Sequence, residues 1–371
     1  MTEDTNLKKT CLYDLHLELG ARMSPFGGWW MPVQYSGIIR EHEACRSRAA
    51  LFDTDHMGEF LVKGEEALFD LENLVSCDIT SMAEGQCRYG MMCNPEGGVV
   101  DDLLVYRRSP ESFMLVVNAS TCVNDLQWIR SHLSDGSCRI EDISAKTAKI
   151  DLQGPGSPEI IEQILESGVE NLKFYHFMRN RYNGIDVLVS RTGYTGEMGF
   201  EIYLDPALAE NFWKACMQLG AVPAGLGARD TLRLEMGMPL YGHELSPDRN
   251  AGESGLERSV SRNKNYIGAD IVTDDSLRQS KLVGIQLQGR RAARHGDDIL
   301  DVSGVKVGTV TSGSFAPSVG SAIALGYVNP ACADPGNRLK LKSARCELDG
   351  EVVATPFYKN ATARCRIKDF L

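Results

Sequence analysis

Asp101 and Asp102 stand side by side inside an otherwise apolar run, Val99-Val-Asp-Asp-Leu-Leu-Val105. A carboxylate in such a run is costly to bury unless it has a partner or a chemical task. Successive strand side chains point to opposite faces, so only one of the two can enter a given pocket, and they do not form a paired-carboxylate dyad. Acids flanking a turn in solvent would read the same way. Glu201 raises the same question in Gly199-Phe-Glu-Ile-Tyr203. A carboxylate there can accept two parallel N–H bonds from an amidine-like edge, the pattern carried by pterins, purines and guanidinium groups. An ion pair with Arg191 or Arg229 is the structural alternative. Arg229 and Arg233 lie four apart on a predicted helix and share one face, with Asp230 and Glu235 close by. They either form solvated salt bridges or offer guanidinium groups to a carboxylate-bearing ligand.

Other chemistries find no foothold. Gly193-Tyr-Thr-Gly-Glu-Met-Gly199 has the composition of a phosphate loop, but it lacks G-x-G-x-x-G spacing and leads into a strand rather than a helix. The 11 cysteines contain no C-x-x-C pair. Their odd number and their scatter through apolar stretches suit free thiols in a reducing compartment. The 7 histidines form neither H-E-x-x-H nor H-x-x-H, so no metal is expected. Asn118-Ala-Ser120 and Asn360-Ala-Thr362 match the glycosylation triplet, yet no secretory signal accompanies them, and both matches read as accidental.

The elements that must hold these residues belong to an ordinary globular chain. Its 371 residues predict two or three domains at roughly 100–200 residues each. A composition of 43% hydrophobic and 24% charged residues excludes disorder, collagen-like repetition and coiled coil. The 39 basic and 50 acidic residues leave a net charge of −11, which repels a phosphate backbone or an anionic membrane, so neither nucleic acid nor membrane is an expected partner. No apolar run approaches the ~20 residues needed to cross a bilayer, and the polar start points to the cytoplasm.

Helical spacing predicts helices over 12–19, 67–75, 157–166, 207–217 and 228–235. Strands are predicted over 59–62, 113–117 and 185–190, and a hairpin turns at Asn94-Pro-Glu-Gly-Gly98. The run 26–35, with two glycines, two tryptophans and a proline, reads as a structural corner, with ligand contact as the alternative. Strands mixed irregularly with helices indicate an α+β fold rather than repeated βαβ units. Beyond about residue 281 only short strands divided by turns remain, which predicts a closed or sandwiched all-β module of roughly 90 residues. The boundary is expected within the polar stretch 273–279.

In order, Leu12-Tyr-Asp-Leu-His16, Gly28-Trp-Trp-Met-Pro-Val-Gln-Tyr35, Leu51-Phe-Asp-Thr-Asp-His-Met-Gly58 and Asn94-Pro-Glu-Gly-Gly-Val-Val-Asp-Asp-Leu103 are followed by Gly193-Tyr-Thr-Gly-Glu-Met-Gly-Phe-Glu-Ile202. Gly227-Ala-Arg-Asp-Thr-Leu-Arg-Leu-Glu235, Tyr241-Gly-His-Glu244 and Gly308-Thr-Val-Thr-Ser-Gly313 complete the series. The series resembles the T-protein of the glycine cleavage system, the tetrahydrofolate-dependent aminomethyltransferase family, from about residue 12 to the C-terminus. The resemblance implies two intertwined α/β lobes forming a folate-binding region, residues 1–278, and a C-terminal all-β barrel, residues 282–371. It implies transfer of the methylene carbon from the aminomethyl-dihydrolipoyl arm of H-protein to tetrahydrofolate, the acceptor substrate, giving 5,10-methylenetetrahydrofolate and ammonia, with no metal or redox cofactor. By motif, Asp102 matches the family's catalytic carboxylate and Asn118 its partner. Glu201 matches the reader of the pterin edge, Tyr89 and Tyr194 match ring and pocket contacts, and Arg229 matches a pocket arginine.

Four positions depart from the family's usual pattern: Asp55 for serine, Met198 for aspartate, Ala251 for proline and Arg258 for tryptophan. Arg258 exchanges an apolar lid for a flexible cation, able to grip the glutamate tail of folate or to admit another substrate. A relative that demethylates a small methylated compound onto tetrahydrofolate is therefore a second reading. A non-catalytic folate-binding protein is a third, disfavoured by Asp102 and by the absence of a Lys-Gly-Cys-Tyr-x-Gly-Gln-Glu run.

Overall fold

In the computed structural model, which describes residues 7–344 and 346–371, the chain lays down one folding unit twice. The first copy runs from strand Gly58–Gly64 through helix Ala67–Leu74, strands Cys87–Cys93, Val99–Ser109 and Ser112–Val117, and helix Cys122–His132 to strand Cys138–Asp142. The second repeats that order with strand Ala148–Gln153, helix Ser157–Ile164, strands Phe177–Tyr182, Ile185–Ser190 and Gly199–Leu204, helix Pro206–Gln218 and strand Val222–Pro223. In both sheets the spatial order is second, third, fourth, first, fifth. The second sheet also takes in strand Ala50–Asp53, which pairs antiparallel with Ala148–Gln153 and parallel with Val222–Pro223. Because that strand precedes the first unit in sequence, the two lobes are interleaved.

Each sheet buries one face under its own two helices. Phe60, Leu103, Val105 and Leu115 pack against Leu71 and Ile129 in the first lobe. Ile150, Leu152, Phe200 and Ile202 pack against Ile161, Phe212 and Trp213 in the second. Strand Val99–Ser109 shows the two-residue period directly. Asp101, Leu103 and Val105 turn toward the helix-covered core, while Asp102 and Leu104 are half-buried on the opposite face.

The expected corner at 26–35 is a hairpin of strands Arg22–Phe26 and Trp29–Gln34. It turns through Gly27 and Gly28, whose φ values of 56° and 86° suit glycine. Helix Leu226–Glu235 packs on that hairpin and on barrel strand Lys306–Ala316. Gly225 opens the helix because a Cβ there would stand 2.3 Å from the Val33 main chain. The barrel closes antiparallel in the order Lys281–Leu287, Ser321–Val328, Lys306–Ala316, Asp298–Leu300, Arg338–Lys342 and Glu347–Val353.

After the barrel the chain returns to the second lobe. Thr362 binds Glu197, Arg191 binds the carbonyls of Ala363 and Cys365, and Ile367 enters the lobe's core. Ile367→Ala is expected to lower unfolding free energy by about 2–5 kcal/mol, read as a lower urea midpoint. An unchanged midpoint would mean that the returning segment does not clamp the lobe.

Candidate functional site

A cavity of about 1160 Å3 lies between the two lobes, with helix Leu226–Glu235 contributing to its wall. Tyr89, Asp102, Asn118, Tyr194, Glu201, Arg229 and Arg258, each singled out from sequence, all line it. They come from both sheets, from that helix and from the short 3-10 turn Glu257–Ser259, so distant stretches of chain meet here.

Asp102 projects from the cavity-facing side of its strand. Tyr89 donates its hydroxyl to Asp102 Oδ2 at 2.9 Å, and Asn118 Nδ2 donates to Asp102 Oδ1 at 2.8 Å. Burial, then the adjacent Asp101 carboxylate, push the Asp102 pKa up to about 7, against the pull of these two donors. A carboxylate poised there exchanges a proton readily near neutral pH. Asp101 points to the other face, as the strand period requires, but it is not independent of its neighbour. The same Asn118 nitrogen donates to Asp101 Oδ1 at 2.8 Å, so one amide joins the two acids.

Glu201 does not take either arginine that its sequence neighbourhood suggested. Its partner is Lys149, whose Nζ lies 2.7 Å from Glu201 Oε1 and 2.8 Å from Asp151 Oδ1. Arg229 reaches Asp151 Oδ2 at 2.8 Å instead, and Arg191 is used on main-chain carbonyls. Burial acts against the Lys149 ammonium, and Asp151 and Glu201 overcome it, holding its pKa above the ordinary lysine range. Thr192 and Tyr106 occupy Glu201 Oε2, the latter at 3.2 Å. Among the described residues Oε1 accepts from Lys149 alone and keeps a lone pair for the cavity. The arrangement thus offers one acceptor point, not the two parallel ones that the residue type suggested.

Lys149 and Asp151 escaped sequence reasoning. Ala148, Ile150 and Leu152 alternate with Lys149, Asp151 and Gln153, and that pattern reads as a strand with one face in water. Closure of the second lobe buries the polar face as well. The residue pairing sets Asp151 opposite Glu201 and Lys149 opposite Tyr203, which assembles the network.

Arg229 also lies 5.0 Å over the Tyr194 ring, whose hydroxyl donates to the Pro239 carbonyl. Arg233, four residues on, is not solvated. It is buried and bonded to Asp230, to Glu244 at 3.0 Å and to Ser312 of the barrel at 2.9 Å. His56 also lines the cavity, and its buried Nδ1 lacks a partner. Burial lowers its pKa to about 4, so the ring is neutral and able to meet a polar ligand atom. Of the four departures from the family pattern only Arg258 reaches the cavity. Asp55 accepts the Cys11 N–H at 3.0 Å, and Met198 and Ala251 are buried in apolar clusters. Among the described residues no group of three His, Cys, Asp or Glu side chains is placed to hold a metal ion, and no helix is long and apolar enough to cross a membrane.

Comparison with known proteins places this cavity in a family. Residues 12–264 match the family model described as the GCVT N-terminal domain, and residues 280–359 match the glycine cleavage T-protein C-terminal barrel domain. The chain is 43% identical over 358 residues to an aminomethyltransferase of Halothermothrix orenii, covering 95% of this chain and 100% of that one. It is 40% identical over 364 residues to an aminomethyltransferase of Thermotoga maritima, covering 96% and 100%. Among solved structures it is similar to the glycine cleavage system aminomethyltransferase T of Bartonella henselae, with a TM-score of 0.90, 30% identity and coverage of 96% and 99%.

Proposed function

The chain belongs to the glycine cleavage T-protein family of aminomethyltransferases, and from that premise we propose that its cavity brings tetrahydrofolate to Asp102 to accept a methylene carbon. The donor is the aminomethyl group carried on the dihydrolipoyl arm of H-protein. The products are 5,10-methylenetetrahydrofolate, ammonia and the free lipoyl thiol. In balance, the carbon exchanges its bonds to nitrogen and sulfur for bonds to two folate nitrogens. The two folate N–H protons leave on ammonia and the thiol.

The observation that carries this reading is a cavity-facing carboxylate with a pKa of about 7, oriented by two donors. Asp102 accepts the proton of the attacking folate nitrogen and stabilises positive charge that develops beside it. Glu201 Oε1, backed by Lys149, takes an N–H of the pterin edge. Tyr89 and Tyr194 bound the ring, Arg229 lines the pocket beside it, and exposed Arg258 faces the glutamate carboxylates at the rim. His56 Nδ1 is a further partner for the pterin. Ammonium loss needs no metal at any of these positions.

We divide the chain at the barrel, with residues 1–278 as the folate-binding region and 282–371 as the C-terminal domain, because the six barrel strands pair only among themselves. All 11 cysteines are free, which supports a reducing compartment, and we place the reaction in the cytoplasm.

The pH dependence follows from Asp102. As a base it works only when ionised, so kcat/KM is expected to fall about tenfold per unit below pH 7. A profile that instead falls above that pH would assign Asp102 as an acid. The direct test mixes the protein, tetrahydrofolate and aminomethyl-loaded H-protein and follows methylenetetrahydrofolate and ammonia together. Equal formation of both supports the proposal. Folate binding without turnover would favour a different one-carbon donor, with Arg258 as the residue that admits it.

A further inference from the structure

Behind Asp102, on the helix-covered side of its sheet, lies a second pair of acids that the reaction above does not use. Asp101 and Asp125 are both fully buried. Asp101 sits on strand Val99–Ser109, and Asp125 lies in the first turn of helix Cys122–His132, which covers that face. Asp101 accepts the Asn118 main-chain N–H at 3.0 Å and the Asn118 side-chain amide at 2.8 Å, with no cation among its partners in the described residues. Both oxygens of Asp125 are buried, and the Thr121 hydroxyl beside them donates to the Asn118 carbonyl at 3.1 Å. Asp125 also lies within hydrogen-bonding reach of Asp101.

Two buried carboxyl groups in contact, without a cation, cannot both be ionised, and a bond between them requires a proton. We propose that Asp101 and Asp125 share one proton and act through the Asn118 amide as positioning residues for Asp102. Burial and then Asp125 push the Asp101 pKa well up, and burial raises that of Asp125 as well, so the pair holds one proton and one negative charge between its two members, and that shared charge reaches Asp102 through Asp101. Asn118 is the connecting part. Its single side-chain nitrogen offers one hydrogen to Asp101 and the other to Asp102, at 2.8 Å each. The pair thus fixes which way the amide faces, and the amide fixes the Asp102 carboxylate. The other titratable groups facing Asp102 are Tyr89, Tyr194 and Tyr241, all with pKa values raised by burial and so neutral here.

The proposal rests on Asp102 being the reaction's base, but its proton can be observed without any substrate. Infrared spectra of the wild-type protein, with aspartate isotope-labelled, are expected to retain a protonated carboxyl band at mildly alkaline pH. Asp125→Asn and Asp101→Asn are each expected to abolish it. No such band in the wild type would overturn the proposal even if a variant fails to fold. A band with no aminomethyl transfer would overturn the functional reading and leave the pair standing.

The pH profile supplies the second readout. In Asp125→Asn the negative charge that the pair shares falls wholly on Asp101, closer to Asp102. The acid limb of kcat/KM is then expected to move up by about one unit. Asp101→Asn leaves the charge on Asp125 and is expected to give no upward shift. Two variants that lose activity with unmoved profiles would show a merely structural role.

Discussion

Asp102→Asn is expected to lower kcat by about 10²- to 10⁴-fold while leaving tetrahydrofolate affinity within a few-fold of wild type. The amide occupies the same space, and Tyr89 and Asn118 can still meet it, the hydroxyl now accepting instead of donating. What is lost is the capacity to take a proton and to face positive charge with a negative one. Both act in the transition state more than in the bound ground state. Calorimetric folate titration beside single-turnover kinetics separates the two effects. Collapse of folate binding with little further loss of rate would instead make Asp102 a binding residue.

The second large effect is expected at Lys149, which holds Glu201 and Asp151 from a position only 1% exposed. Lys149→Met leaves Glu201 buried without a cation, and breaking a buried pair in this way costs about 3–5 kcal/mol of stability. Asp151 is cushioned by Arg229 at 2.8 Å, so Glu201 bears most of the loss. Folate affinity is expected to fall with it, because the acceptor aimed at the pterin becomes protonated or displaced. Adding Glu201→Gln to Lys149→Met removes the orphaned charge and is expected to restore part of the stability without restoring folate binding. Urea unfolding and folate titration of the two variants beside the wild type read both outcomes. An unchanged midpoint for Lys149→Met would show that Glu201 finds another partner.

The fold was legible where periodicity is local. The two-residue alternation around Asp101 and Asp102 correctly put them on opposite faces, and the change of pattern near residue 281 coincides with the first barrel strand, Lys281–Leu287. The duplication of the folding unit was not legible, because its copies share topology rather than residues. Nor was the crossing of strand Ala50–Asp53 into the second sheet, a long-range pairing with no local signature.

The candidate site was readable mainly through motifs. Strand periodicity predicts that Asp102 and Asp101 diverge, but not that Asn118, beyond the next strand, ties them together. Lys149 and Asp151 carry the pattern of a solvated strand face, and only closure of the lobe buries both and brings Lys149 to the cavity wall. The ion-pair alternative for Glu201 named Arg191 or Arg229, because strand pairing with a lysine far earlier in the chain has no local signature. The actual partner lies 52 residues away on the adjacent strand.

The most direct test is a crystal structure of the protein with tetrahydrofolate bound. A reacting nitrogen of the reduced folate is expected within hydrogen-bonding reach of Asp102, with the pterin edge on Glu201 Oε1 and the glutamate tail leaving past Arg258. A pterin seated elsewhere in the cavity, with Asp102 facing water, would contradict the assignment of Asp102 as the group that acts on the folate nitrogen.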